Sequence, residues 1–288
     1  MVSKRVFMIV ATMALLSACG KEQTPEVYVP EEGEILLNMI HPHHSTRVND
    51  TGFDADDQIG VYVTKSDLEL QLVGHEVNNE LFIYNGTTWS SQRRVFWNEG
   101  THNVYAYYPY TAAVNDIEDF SFSVQTDQST DEGYSMSDFL WASSTGVAAT
   151  NEPVNMQFEH KLSRVVVKLE KGEEFEGEIS ESAEVYIDST VTDAVIDLST
   201  GDAAKDTFKS PSIIRCKQLA NDTYAAIVIP QNLTSKVPLV EVIIGDVSYL
   251  MYGKISLRPG FSHTIVVTLN HNPEKIKIDI GGSTGDWN

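Results

Sequence analysis

His41, His43 and His44 form the densest group of potential metal ligands in the chain, and imidazole nitrogens hold zinc or copper where three or four ligands converge. Pro42 interrupts the group and no cysteine lies near it, so the spacing favours a solvated loop. Asp54, Asp56 and Asp57 put carboxylates at i, i+2 and i+3, a pattern that suits calcium. The segment lacks the glycine and the distal glutamate of an EF-hand loop, and a solvated turn is the expectation. Gly281-Gly282-Ser283-Thr284-Gly285 has the spacing Gly-x-Ser-x-Gly, but with no 12-residue helical pattern in the chain it lacks the strand-turn-helix context of a nucleophile elbow. Gly281-Gly282 is followed by neither Lys-Ser nor Lys-Thr, so it is not a phosphate loop. Cys19 and Cys216 can form one bridge at most. Cys216 falls within an alternating run and is expected in a core as a small hydrophobe. No catalytic set, metal site or cofactor site emerges, and an enzyme is not expected.

Phe96-Trp97 with Tyr105, Tyr107, Tyr108 and Tyr110 could form a platform for a sugar. Strand parity favours another use. Tyr105, Tyr107 and Pro109 share one face while Ala106, Tyr108 and Tyr110 share the other, as in a strand buried on both sides.

The elements that must position these residues are strands, because period-2 alternation dominates. It predicts strands over 35–40, 58–64, 80–84, 103–109 and 119–125, then 155–170, 183–188, 193–198 and 212–218. The last group covers 223–230, 238–244, 247–257, 262–269 and 275–280. Asn85-Gly86, Thr200-Gly201-Asp202, Gly245-Asp246 and Pro259-Gly260 supply turns. With no 12-residue helical pattern, stacked antiparallel sheets are expected. A chain of 288 residues suggests two domains, and the best boundary is 151–157, after the Ser/Thr/Gly/Ala stretch 142–150. A formal net charge of −21 repels phosphates, so nucleic acid is not an expected partner.

Residues 1–18 have the parts of a secretory signal: Lys4 and Arg5, an apolar run from Val6 to Leu16, then small residues. That run is too short for a membrane-spanning helix of ~20 residues, and beyond the leader a soluble protein is expected. Leu16-Ser17-Ala18-Cys19-Gly20 resembles the lipobox of bacterial lipoproteins. The resemblance implies cleavage before Cys19 and acylation of that residue, with two or three chains giving a stable anchor in the outer membrane. An ordinary signal peptide with an incidental cysteine is the alternative. Gly20 to Pro30 reads as a polar tether, and Glu22 and Glu26 are similar to surface-export signals of Bacteroidales lipoproteins.

Several segments, in this order, resemble the fimbrillins, the type V pilins of Bacteroidales. Thr46-Arg47 is followed by Phe53 and Asp57-Gln58-Ile59-Gly60-Val61-Tyr62. Val104-Tyr105-Ala106-Tyr107-Tyr108-Pro109-Tyr110 and Asp138-Phe139-Leu140-Trp141-Ala142 come next. Phe158-Glu159-His160-Lys161-Leu162-Ser163-Arg164-Val165, Tyr224-Ala225-Ala226-Ile227-Val228-Ile229-Pro230-Gln231 and a tail from Ile278-Asp279-Ile280 to Asp286-Trp287 complete the set. Each motif alone is weak, whereas the ordered set is specific.

The resemblance implies an all-β chain of two tandem transthyretin-like β-sandwich domains after a lipoprotein signal peptide. The implied division is a signal peptide over 1–18, a lipidated pro-segment over 19–47, sandwiches over 48–154 and 155–270, and a tail over 271–288. An arginine-specific surface protease would cut between Arg47 and Val48 and release a strand carrying Ile35, Leu37 and Met39. A neighbouring subunit's strand would fill the groove. Ile276, Ile278 and Ile280 alternate with Lys277 and Asp279 after a linker, so the tail can serve as a donor strand. Completing its own sandwich is the alternative. The implied function is a structural subunit of surface fimbriae that supports adhesion, with other fimbrial subunits and a host or bacterial surface ligand as partners. A tip adhesin, an anchor subunit or a monomeric glycan-binding surface lipoprotein are the alternatives.

Overall fold

The computed structural model describes residues 28–42, 52–173, 175, 179, 183–270, 277–280 and 284–287. Short runs of β-branched and aromatic residues, closed by Gly- and Asn-containing turns, form strands nearly throughout. The first half contains β1 (Leu37–Ile40), β2 (Gln58–Lys65), β3 (Val77–Tyr84), β4 (Trp89–Ser91), β5 (Thr101–Tyr108), β6 (Phe120–Ser123), one short helix α1 (Asp131–Ser135), β7 (Leu140–Ala148), β8 (Val154–Gln157) and β9 (Glu159–His160). The second half begins with β10 (Ser163–Lys171), β11 (Glu184–Thr190), β12 (Asp193–Asp197), β13 (Asp202–Lys205), β14 (Ser212–Arg215), β15 (Lys217–Ala220) and β16 (Thr223–Val228). It continues with β17 (Asn232–Leu233), β18 (Pro238–Ile244), β19 (Val247–Tyr252), β20 (Ile255–Ser256), β21 (Phe261–Leu269), β22 (Lys277–Asp279) and β23 (Thr284–Asp286).

The first half is built on a sheet of order β4-β3-β2-β5-β7-β9. The six central residues of β2 are all buried, because the sheet is covered on both faces. On one face Ile59, Val61, Val104 and Leu140 meet β1 and β8; on the other, Tyr62, Tyr107 and Phe139 join a larger core shared with the second half. That second half stacks the sheet β15-β16-β10-β21-β22, with β23 also on β21, against the sheet β14-β11-β18-β19. The two halves share backbone as well as core, since β6 pairs with β12 from Phe120↔Ile196 to Ser123↔Asp193.

Three features depart from the sequence expectations. The stretch 142–150, to which no strand was assigned, lies largely within β7, which pairs with β5 from Thr101↔Ala148 to Tyr108↔Leu140. The pairing is not all antiparallel. β10 runs parallel to β21 from Arg164↔Ser262 to Lys171↔Leu269, as the long connection between them permits, and β1 runs parallel to β8. Finally, β8 straddles the expected 154/155 boundary and β9 lies beyond it, yet they pair with β1 and β7 of the first half, because Met156 and Phe158 fill that half's core.

Candidate functional site

Strand β1 sits in a slot between two pieces of backbone. Its leading residues bond on one side to the segment 95–97: Ile35 N donates to Val95 O (2.9 Å) and Trp97 N donates to Gly33 O (2.9 Å). On the other side β1 pairs with β8, and Val154 N and Phe158 N donate to Leu36 O and Ile40 O, each at 2.9 Å. Alternation does the rest. Ile35, Leu37 and Met39 are 2%, 5% and 7% exposed and pack on Ile59, Val61, Met156 and Phe158. Asn38 faces outward, and its Nδ2 donates to Asn155 Oδ1 (2.8 Å). Burying three such side chains contributes about 1.5–3 kcal/mol each. The mouth of the slot is charged. Glu34 is 1% exposed, and its Oε2 accepts a hydrogen bond from Arg94 Nη1 at 3.1 Å. Glu80 fixes the preceding Arg93 through Nη2 (2.7 Å) and the backbone N (2.8 Å).

The tail has its own seat. β22 pairs with β21 from Val266↔Asp279 to Thr268↔Lys277, and β23 pairs with it from Phe261↔Asp286 to His263↔Thr284. Ile278 and Ile280 are half-buried against the larger core. Gly253 leaves room for Ile280: a methyl there would overlap Ile280 Cδ1 and press on Leu239. Trp287 is 1% exposed and stacks on His160 (3.8 Å between centroids, 6° between planes), while its N donates to Gly260 O (2.8 Å). His160 is held in turn through Nδ1, 2.9 Å from Asp138 Oδ2.

The other chemistry-bearing residues serve the fold. His41 is not in a solvated loop; its ring packs edge-on to Phe53 (4.9 Å) and His160 (5.9 Å). Asp57 closes the expected turn, with Oδ2 accepting from Asp54 N (2.7 Å) and Oδ1 from Tyr108 OH (3.2 Å), and burial raises its carboxyl above the usual range. Tyr107 is core, as parity indicated. Its OH donates to Asn79 Oδ1 (2.8 Å), and burial pushes the phenol up. Cys216 is buried, which raises its thiol strongly. Cys19, His43, His44, Arg47, Val48 and Ile276 lie outside the described residues. The sequence reading missed Glu34, Arg94 and Gly253, and it missed Gln128, which is buried and exchanges two 2.8 Å bonds with the backbone of Ile227. Nothing in spacing reveals contacts between residues 60 or 99 positions apart.

The chain is thus nearly all β, with a first described strand that closes one core and a tail that closes another sheet. Residues 46–287 match the family model described as fimbrillin-like, and the chain belongs to that family. A Bacteroides ovatus protein described as a candidate fimbrium tip subunit, Fim1C, is 30% identical over 187 residues, which are 56% of this chain and 34% of that protein. The match thus spans about a third of the relative's length. A solved candidate cell adhesion protein from Bacteroides ovatus superposes with a TM-score of 0.70 at 21% identity, over 90% of this chain and 99% of that one. Another, from Bacteroides uniformis, gives 0.68 at 18% identity, over 89% and 100%. At these identities the two structures speak for the fold alone.

Proposed function

We propose that the chain is a structural subunit of a surface fimbrium, built from two transthyretin-like halves and supporting adhesion to a host or bacterial surface. In this reading Cys19 is acylated and holds the precursor at the outer membrane. An arginine-specific protease then cuts between Arg47 and Val48. The strand bearing Ile35, Leu37 and Met39 leaves, and a neighbouring subunit's strand takes its slot. The observation that carries the reading is the seat of β1, whose inward side chains are buried and whose backbone is flanked by 95–97 on one side and β8 on the other. Replacing Arg47 by Ala should leave β1 in place and stop polymer growth, while the wild-type surface form should begin at Val48. A surface form that begins at Cys19 and still polymerises would overturn it.

A second reading concerns position in the fimbrium. In a shaft subunit Ile276, Ile278 and Ile280 would leave as a donor strand. The seating of β22, β23 and Trp287 on their own sheet favours a terminal subunit that accepts a strand and keeps its tail, and the description of the Bacteroides ovatus relative as a tip subunit supports this. The glycan-binding alternative is weakened in two of its six aromatic residues, because Tyr107 is in the core and Tyr105 packs against it.

A further inference from the structure

The slot that holds β1 is apolar along its length and charged at one point. Glu34 directly precedes the first of the three inward residues Ile35, Leu37 and Met39, and it is as buried as they are. Its carboxylate meets Arg94, which directly precedes the segment 95–97 on one side of the slot and so belongs to the part of the chain that stays behind when β1 departs. Any strand that replaces β1 in the same direction must put a side chain at that buried position, facing a guanidinium. A carboxylate there makes a charge-assisted bond, whereas a second cation is both desolvated and repelled.

The chain's own tail can be tested against this slot from its sequence, Glu274-Lys275-Ile276-Lys277-Ile278-Asp279-Ile280. With Ile276, Ile278 and Ile280 in the places of Ile35, Leu37 and Met39, Lys275 falls at the position of Glu34. Sliding by two residues toward the C-terminus brings Lys277 there. A further slide brings Asp279 there but leaves Gly282 and Thr284 in the places of Leu37 and Met39. No register satisfies both the apolar pockets and Arg94.

We infer that Arg94 is a specificity-determining residue of the slot, which takes a partner strand with a carboxylate immediately before three alternating apolar residues and rejects this chain's own tail. The inference rests on the strand-exchange reading above. It makes the subunit a poor acceptor for copies of itself and assigns it a partner of different sequence.

The test uses the full chain with a unique protease site inserted after Arg47, cut while folded and offered labelled peptides, with fluorescence anisotropy as the readout. The peptides are residues 32–42, the same with Glu34→Lys, residues 272–282, and the same with Lys275→Glu. The expected result is that the 32–42 peptide and the Lys275→Glu tail peptide bind about tenfold or more tightly than their lysine-bearing counterparts. In an Arg94→Glu chain the order should invert. Arg94 is partly exposed, so solvent screens part of the pairing and the expected gap is set no higher than this. If all four peptides bind within about twofold, selection by Arg94 is refuted and strand exchange survives. If even the 32–42 peptide fails to enter, strand exchange itself fails and takes the inference with it.

Discussion

Trp287→Ala measures whether the tail belongs to the free subunit's fold. Trp287 is among the largest fully buried side chains, and it lies flat on His160 with 3.8 Å between ring centroids. Its Nε1 has no hydrogen-bond partner among the described residues, so truncation removes packing and stacking and breaks no side-chain hydrogen bond. Replacing a buried tryptophan by alanine costs about 3–5 kcal/mol. In a chain of this size each kcal/mol lowers the melting temperature by roughly 2–4 °C. The monomer should therefore melt roughly 6–20 °C lower, as read by far-ultraviolet circular dichroism on a form that has never polymerised. Trp287→Phe, which keeps a ring over His160, should recover much of the loss. A tail held in reserve for another subunit would contribute little to its own monomer. A shift below about 2 °C for Trp287→Ala would then refute the home seat and restore the donor assignment for Ile276, Ile278 and Ile280.

Three further outcomes follow from the same geometry. Leu37→Ala should destabilise the uncut chain by about 2–5 kcal/mol in urea titrations, far more than Asn38→Ala on the outer face of the same strand. Gly253→Ala should cost about 1–3 kcal/mol by forcing Ile280 aside, and cost less in an Ile280→Ala background, where only the contact with Leu239 remains. His263 is buried beside Arg258, which lowers its folded-state pKa, and its Nε2 accepts a bond from Arg258 N (3.1 Å). The unfolded chain thus binds the extra proton. Stability should be complete above about pH 6.5 and fall as pH drops toward the lowered folded value, by at most about 1.4 kcal/mol per unit, and His263→Gln should remove that segment of the curve.

Much of this fold was legible because alternation and turns are local. Pro238–Ile244 was read to the residue, and Gln58–Lys65 to within one. β7 escaped because Ser143, Ser144, Thr145 and Gly146 have the composition of a linker; what makes them a strand is the ladder offered by β5, which only the folded chain reveals. Helix α1 escaped for a different reason. It has a cap, with Thr130 Oγ1 accepting from Gly133 N (3.0 Å), but five residues cannot display a helical period. The inward residues of β1 were visible as a pattern, whereas its charged mouth was not, since Glu34 and Arg94 are joined only by tertiary structure.

The distribution of sheet edges bears on how such a subunit can assemble without aggregating. Open edges invite unplanned strand addition, and short or charged edge strands discourage it. In the first half's sheet the edge strands are β4 and β9, which have three and two residues. In the second half, β22 and β23 cover β21 and present exposed Lys277, Asp279 and Asp286. β19 is less guarded, with Val247, Leu250 and Tyr252 exposed along an edge. The slot of β1 differs from all of these. It lies inside a core, so it cannot accept a strand until one leaves, and departure requires the loss of three buried side chains and an ion pair. Covalent attachment of β1 to the body gives it a high effective concentration at the slot, which opposes that loss. Under the strand-exchange proposal, cutting the connection would remove this advantage and make the exchange depend on the partner's sequence, so control over assembly would rest on one peptide bond and on what the incoming strand places beside Arg94.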